Sequence, residues 1–104
     1  MNTRSDKYGL KDLEGRLGKL SVGEFLHAWR MSEEMTLKDF GKLIGLSAAN
    51  LCDIEKGRKG VSPVKAAQIA RAIGIPPTVL IRLSVEESLR AIGLRYTVEV
   101  KAAA

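Results

Sequence analysis

The side chains with the clearest chemical potential lie between residues 36 and 60 of this chain. Residues 56–59 contain two lysines and an arginine, and cations of this kind bind phosphate and other anions. Asn50 and Asp53 precede this basic run and supply an amide and a carboxylate, which can donate and accept hydrogen bonds. The segment therefore combines groups that can hold a charged backbone with groups that can recognise a pattern of donors and acceptors.

Few residues elsewhere in the sequence suit catalysis or metal binding. The chain has one histidine and one cysteine, and His27 and Cys52 are too few ligands for a zinc site. Asp53 and Glu55 are two residues apart in a predicted helix, so they do not face each other as an acid–base pair. The sequence also lacks a glycine-rich phosphate cradle and a cluster of carboxylates. We therefore expect no enzyme activity, no metal and no cofactor.

Two short helices joined by a tight turn are predicted to position the polar groups. Apolar residues and a glycine recur at i, i+3, i+4 and i+7 over residues 37–44, which is one face of a helix. The turn that follows begins with a glycine, and Ser47 is a good N-cap for the next helix at 48–56. Leu51 and Ile54 are predicted to point inward. This arrangement is a helix-turn-helix, whose second helix can enter the major groove of DNA. The residues left facing outward are Ala48, Ala49, Asn50 and Asp53.

Composition narrows the class of protein. The formal net charge of +5 favours a polyanionic partner, and a length of 104 residues suits one domain. A single cysteine cannot form a disulfide framework, and it fits a reducing cytoplasm. The N-terminus lacks an apolar signal region, and no stretch approaches the ~18 apolar residues of a membrane span. We therefore expect a cytoplasmic protein without a membrane partner.

The remaining helices are predicted on both sides of the central segment. Residues 1–20 are expected to form an N-terminal arm that is flexible or partly helical, because glycines interrupt its weak apolar pattern. The ordered domain is predicted over 21–93. Ser21 and Glu24 have the spacing of a capping box, so the first helix begins there and ends near Glu34.

Two further helices follow the basic run. Ser62 can cap the fourth helix, and a proline stands at its first position, where the missing N–H costs nothing. That helix is predicted to end at Gly74. The fifth extends to about residue 92, with a break near Ser84 as an alternative. The domain is therefore predicted to be all-α, with five helices.

Residues 94–104 have a different apolar pattern from the helical segments before them, and they are predicted to form a C-terminal strand and tail. Leu94, Tyr96, Val98 and Val100 alternate with polar residues, a period of two that is typical of a β-strand. The helical chain offers no neighbouring strand, and a lone strand leaves its N–H and C=O groups unpaired. We expect this strand to pair with the same strand of a second copy across a two-fold axis. Pairing with another protein, or with the N-terminal arm, is the alternative.

Residues 36–60, together with the helices before and after them, resemble the lambda-repressor-like family of Cro/CI-type helix-turn-helix regulators, the XRE group. The length and the terminal strand are similar to those of small regulators of that group, including antitoxins of the HigA kind. The likeness extends over roughly residues 21–92 and implies the same five-helix fold. The residues that carry it are Gly45, Leu46, Ser47, Leu51, Ile54, Glu55, Lys56 and Gly57.

The resemblance implies which residues meet DNA. In that family, the N-terminal half of the third helix contacts base edges. Alanine methyls can touch a thymine methyl, Asn50 could pair with adenine, and Asp53 could accept from cytosine N4. Longer side chains are usual at several of these positions, so DNA shape could contribute more to recognition here. The base-contacting residues so implied are Ser47, Ala48, Ala49, Asn50 and Asp53.

Cations on either side of these positions are expected to contact phosphates. The N–H groups in the first turn of the second helix add a partial positive charge there. The expected phosphate-contacting residues are Thr36, Lys38, Lys42, Lys56, Arg58 and Lys59.

The leading hypothesis is a dimeric, sequence-selective transcriptional regulator, a repressor that places helix 47–56 in the major groove of double-stranded DNA. Its half-sites would lie about 34–36 Å apart or a multiple of that. The alternative is an antitoxin-type protein that neutralises a partner toxin and autoregulates its operon.

Overall fold

The structure is a computed structural model, and it describes residues 20–103. The described residues form five α-helices in the predicted order, so the all-α prediction is confirmed. The second helix has the predicted bounds, and the other ends differ by one or two residues, as is common at fraying termini. The helices are α1 (Val22–Ser32), α2 (Leu37–Ile44), α3 (Ala48–Glu55), α4 (Pro63–Ile73) and α5 (Pro77–Ala91). The alternative break near Ser84 does not occur, because α5 is continuous through that residue.

The residues that precede the first four helices explain where those helices begin. Each of these helices is preceded by a serine or threonine whose hydroxyl oxygen accepts a hydrogen bond from a backbone N–H of the first turn, at 3.0 or 3.1 Å. Such a bond satisfies one of the donors that a helix start leaves unpaired. At α1 the bond is reciprocal, because the N–H of Ser21 donates to Glu24 at 2.9 Å and completes the predicted capping box. The four caps are Ser21, Thr36, Ser47 and Ser62.

The core is shared by all five helices. Each contributes at least one fully buried apolar side chain, and removing that surface from water is the main favourable term in folding. The aromatic rings of Trp29 and Phe40 stack with their centroids 5.2 Å apart, which joins α1 to α2. Both aromatic rings therefore serve packing. Fully buried representatives are Leu26, Phe40, Leu51, Ile69 and Leu80.

The predicted arm, residues 1–20, lies outside the described residues except for Leu20. Leu20 is 3% exposed and belongs to the hydrophobic core, so the arm prediction is wrong at this residue. It stands immediately before the N-cap of α1, and Phe25 stands at the fourth helical position. This is the spacing of a hydrophobic staple, in which an apolar residue outside the helix packs beside one inside it.

The predicted C-terminal strand is not formed, since residues 94–103 contain no regular secondary structure. The alternating pattern is real, but a strand requires ladder hydrogen bonds, and the described chain supplies no neighbouring strand. Instead, the N–H of Val98 donates to Oε2 of Glu86 at 2.8 Å, which holds the segment against α5. Val98 and Val100 are half-buried, whereas Leu94 and Tyr96 are 42% and 66% exposed.

The end of α5 is well defined. Gly93 has a φ of 85°, its N–H donates to the carbonyl of Arg90, and the N–H of Leu94 donates to the carbonyl of Leu89. These two bonds constitute a Schellman motif, which needs a left-handed residue that glycine adopts readily. None of the described helices combines the length and apolar character needed to cross a bilayer.

Candidate nucleic-acid interface

The turn between α2 and α3 is held by its own backbone and by α4. Gly45 ends α2 with a left-handed φ of 77°, and the N–H of Leu46 donates to the carbonyl of Gly41 at 2.8 Å. Nζ of Lys65 on α4 lies 3.3 Å and 3.4 Å from the carbonyl oxygens of Ile44 and Gly45. A cation at this position satisfies carbonyls that the helix end leaves unpaired. Sequence reasoning missed Lys65, because its contact joins residues about twenty positions apart.

Two glycines permit close backbone contacts, one with the turn before α3 and one with α3 itself. A Cβ atom at Gly41 would collide with the carbonyl oxygen of Leu46 in the turn. A Cβ atom at Gly23 would collide with the carbonyl oxygen of Ile54, near the C-terminal end of α3. Gly23 was not singled out from the sequence, where it is an ordinary interior residue of α1.

The face of α3 that points away from the core carries the predicted base-contacting residues. Leu51 and Ile54 are buried beneath it, as their spacing indicated. Asn50 and Asp53 are half-buried and lie one turn apart on the same face, while the small residues 47–49 are exposed. The outward face of α3 therefore has small exposed residues at its N-terminal end and two polar side chains further along the helix.

The predicted phosphate-contacting residues lie at the start of α2, on α2, and in the loop that follows α3. All six are exposed. The hydroxyl oxygen of Thr36 already accepts a hydrogen bond from the N–H of Asp39 at 3.0 Å, so its own hydroxyl hydrogen is the group left for an anion. The six are Thr36, Lys38, Lys42, Lys56, Arg58 and Lys59.

Two of the loop cations are bonded to the polar side chains of α3. Nε of Arg58 donates to Oδ1 of Asp53 at 2.9 Å, and Nζ of Lys59 donates to Oδ1 of Asn50 at 2.6 Å. Backbone bonds from both loop residues to the carbonyl of Asp53 hold the loop against the end of the helix. The charge of Asp53, which would otherwise repel phosphate, is thus balanced by a neighbouring guanidinium. Neither pair was predicted, since the loop conformation decides them.

Comparison with known proteins agrees with this geometry. Residues 21–83, more than half of the chain, match the family model described as a helix-turn-helix domain. The chain belongs to this helix-turn-helix family. No curated protein and no solved structure shows a significant match.

A largely buried ion pair joins α3 of this helix-turn-helix domain to α1. Nε and Nη2 of Arg30 donate to the two carboxylate oxygens of Glu55 at 2.8 and 2.9 Å. Nδ1 of His27 lies 2.9 Å from Oε1 of the same carboxylate, and Nη1 of Arg30 donates to the carbonyl of Met35. The side chains of Arg30 and Glu55 are 13% and 5% exposed. The two-pronged contact therefore sets the orientation of α3 as well as its distance from α1.

The ion pair shifts the pKa of Glu55 and that of Arg30. Burial alone would raise the pKa of Glu55, but the hydrogen bonds from Arg30 and His27, with their positive charges, outweigh it and lower that pKa. The hydrogen bond to Glu55 raises the pKa of Arg30, and burial opposes the shift. The structure gives Glu55 a structural role, because its carboxylate joins α3 to Arg30 on α1. Within residues 20–103, no three His, Cys, Asp or Glu side chains are grouped closely enough to hold a metal ion.

Proposed function

We propose that this helix-turn-helix protein is a sequence-selective transcriptional regulator of the Cro/CI-type XRE group, a dimeric repressor that inserts α3 into the major groove. The observation that carries the proposal is the outward face of α3, where Asn50 and Asp53 are flanked and bonded by loop cations. The formal net charge of +5 supports a polyanionic partner. No residue is assigned a catalytic role.

The proposed contacts divide into two classes. Residues 47–50 and Asp53 would meet base edges, and the exposed cations around them would meet phosphates on either side of the groove. Alanine at 48 and 49 lets the helix backbone approach the bases, where methyl groups can touch thymine. The phosphate contacts position the helix, and the base contacts supply sequence preference.

Replacing Arg58 by alanine is expected to weaken binding to all DNA sequences alike. The variant removes a cation and also leaves the carboxylate of Asp53 unbalanced beside the phosphates. The plot of log K against log salt concentration should flatten by about 0.9 for each phosphate that the protein no longer neutralises. Fluorescence anisotropy with a specific and an unrelated duplex, at four salt concentrations, measures both effects. Arg71→Ala, which removes an exposed arginine on α4, is the matched control and should retain the slope. An unchanged slope in Arg58→Ala would remove this residue from the phosphate contacts.

The second part of the proposal is a homodimer formed through the interface residues Leu94, Tyr96, Val98 and Val100. Ile92, Leu94 and Tyr96 are exposed large apolar side chains within five residues of one another, as in surfaces that become covered in an assembly. In the described chain, the N–H of Val98 is bonded to Glu86, so the segment already lies along α5 when a second copy arrives. Pairing of the two segments would then form the expected ribbon.

The double variant Leu94→Arg/Tyr96→Arg is expected to be a monomer where the parent chain is a dimer. Two charged side chains would have to be desolvated on each side of a closed interface, which is costly. Light scattering at several protein concentrations gives the mass directly. The control is Val64→Arg, which places the same charge on an exposed apolar residue of α4 and should leave the mass unchanged. A parent chain that stays monomeric throughout would refute the ribbon.

The same exposed apolar side chains favour the second candidate function, an antitoxin-type protein that binds a toxin and autoregulates its operon. A different protein could add a strand to residues 94–100 in place of a second copy. Co-expression with the neighbouring gene product, followed by co-purification of the parent chain and the double arginine variant, distinguishes the two partners. Retention of the product by the parent alone would support the antitoxin function, and absence of the product from both would refute it.

A further inference from the structure

The contact between Lys59 and Asn50 determines which way the Asn50 amide faces. An ammonium group has only donors, so the amide atom 2.6 Å from Nζ of Lys59 must be the carbonyl oxygen. The other end of the amide, Nδ2, is therefore a pair of N–H donors. Lys59 itself is exposed and keeps further N–H donors beyond the one used in this bond.

This orientation changes the base that the residue would recognise. An asparagine that pairs with adenine uses both ends of its amide, accepting from N6 and donating to N7. In this chain one of the two lone pairs of the carbonyl oxygen accepts from Lys59, so an ammonium group stands beside that oxygen. The N6 amino group of adenine is itself a donor and would meet the N–H donors of the ammonium group, whereas Nδ2 of Asn50 and Nζ of Lys59 together present two sets of donors. In the major groove, guanine offers two adjacent acceptors, N7 and O6, which match two donors.

The neighbouring polar residue of α3 has a cation of its own. Asp53 lies one turn beyond Asn50 and is the nearest carboxylate along α3 that could attract the ammonium group. Its Oδ1 is engaged by Nε of Arg58 at 2.9 Å. The two loop cations are thus divided between the two polar residues on the outward face of α3, one each.

We propose that Asn50 and Lys59 form one specificity-determining unit that selects guanine over adenine at one position of each half-site. This inference rests on the proposed insertion of α3 into the major groove. It replaces the adenine preference expected for an isolated asparagine and assigns a base-reading role to Lys59, which was expected to contact phosphate.

The test is a DNA-selection experiment on the full chain, with Asn50→Ala used to locate the base pair that Asn50 contacts. The parent chain should select guanine at that position. Lys59→Met keeps the length of the side chain and removes its charge and donors, so no ammonium group opposes the N6 amino group of adenine at the carbonyl of Asn50. The ratio of guanine to adenine binding should then fall by roughly tenfold or more, the usual range for one well-formed base contact.

Lys56→Met is the matched control. Lys56 is also exposed, and it stands at the C-cap of α3 without a hydrogen bond to Asn50. Its replacement should weaken all sequences while the guanine preference stays. Adenine selected by the parent chain at the Asn50 position, or an unchanged guanine preference in Lys59→Met, would overturn the inference while DNA binding stands. A parent chain that binds no duplex at low salt would instead overturn the proposed function.

Discussion

Replacing Glu55 by glutamine is expected to lower the free energy of unfolding by about 2–3 kcal/mol, because removing one charge of a largely buried ion pair leaves the other uncompensated. Arg30 would keep its bond to the carbonyl of Met35, but one of its two carboxylate partners would become an NH2 group, which donates and cannot accept, and the negative charge would be lost. Glutamine preserves the shape of the side chain, so the difference reports the charge and its hydrogen bonds. Denaturant unfolding followed by circular dichroism measures the difference between parent and variant.

Glu33→Gln is the control for this variant. It makes the same chemical change at an exposed glutamate just beyond α1, and it should alter stability little. Equal stability of Glu55→Gln and the parent chain would mean that the pair between α1 and α3 does not hold the recognition helix.

The same ion pair predicts how stability depends on pH. The pKa of Glu55 is lowered in the folded protein, so its stabilising contribution is complete above the unfolded pKa of about 4.3 and is lost as the pH falls through the lower folded pKa. The raised pKa of Arg30 keeps that partner charged throughout this range. The stability difference between parent and Glu55→Gln should therefore be constant from pH 8 to about pH 5 and shrink below about pH 4. A difference that stays constant down to pH 2 would contradict the lowered pKa.

Replacing Gly23 by alanine is expected to destabilise the protein by about 1–3 kcal/mol, the usual cost of forcing an extra carbon into a packed interior. Alanine normally stabilises a helix relative to glycine by up to about 1 kcal/mol. A loss of stability in this variant would therefore mean that the packing cost exceeds the gain in helix propensity. The new Cβ would collide with the carbonyl oxygen of Ile54, and that atom belongs to a helix backbone that cannot rotate away. We expect α1 and α3 to move apart, which would also weaken DNA binding.

Thermal unfolding of Gly23→Ala should show a midpoint about 4–8 °C lower for each kcal/mol of destabilisation in a domain of this size. Gly60→Ala is the matched control. A Cβ at Gly60 would lie 3.8 Å from Oε2 of Glu87, an ordinary contact distance, and its φ is not left-handed. A Gly23→Ala variant as stable as this control would mean that α1 can shift without cost.

The sequence predicted those parts of the fold that depend on near neighbours. Ser21, Thr36, Ser47 and Ser62 each bond to an N–H three residues ahead, so the four helix starts could be recognised locally. Apolar residues at helical spacing likewise indicated the buried faces. The helix-turn-helix followed from these signals alone, because the turn and both of its helices lie within about twenty residues.

Residues 94–100 show that an alternating pattern does not by itself ensure a strand. Their alternation is typical of a strand, but an isolated chain cannot complete a ladder, so the N–H of Val98 donates to the carboxylate of Glu86 instead. Leu20 shows the opposite error. Its weakly patterned surroundings indicated an arm, yet it packs in the core because it stands immediately before the N-cap of α1.

By itself, the sequence determined the five helices, the turn between α2 and α3, and which face of α3 points outward. Only the tertiary structure decided which contacts hold α3 in place and which polar groups its outward face presents. Glu55 bonds to Arg30, Gly23 packs against the carbonyl oxygen of Ile54, and Lys59 bonds to Asn50. Helical periodicity specifies which side of a helix is apolar. It does not specify how closely two helices approach, or which polar groups a loop brings within about 3 Å of each other. Those distances arise only when the whole chain packs.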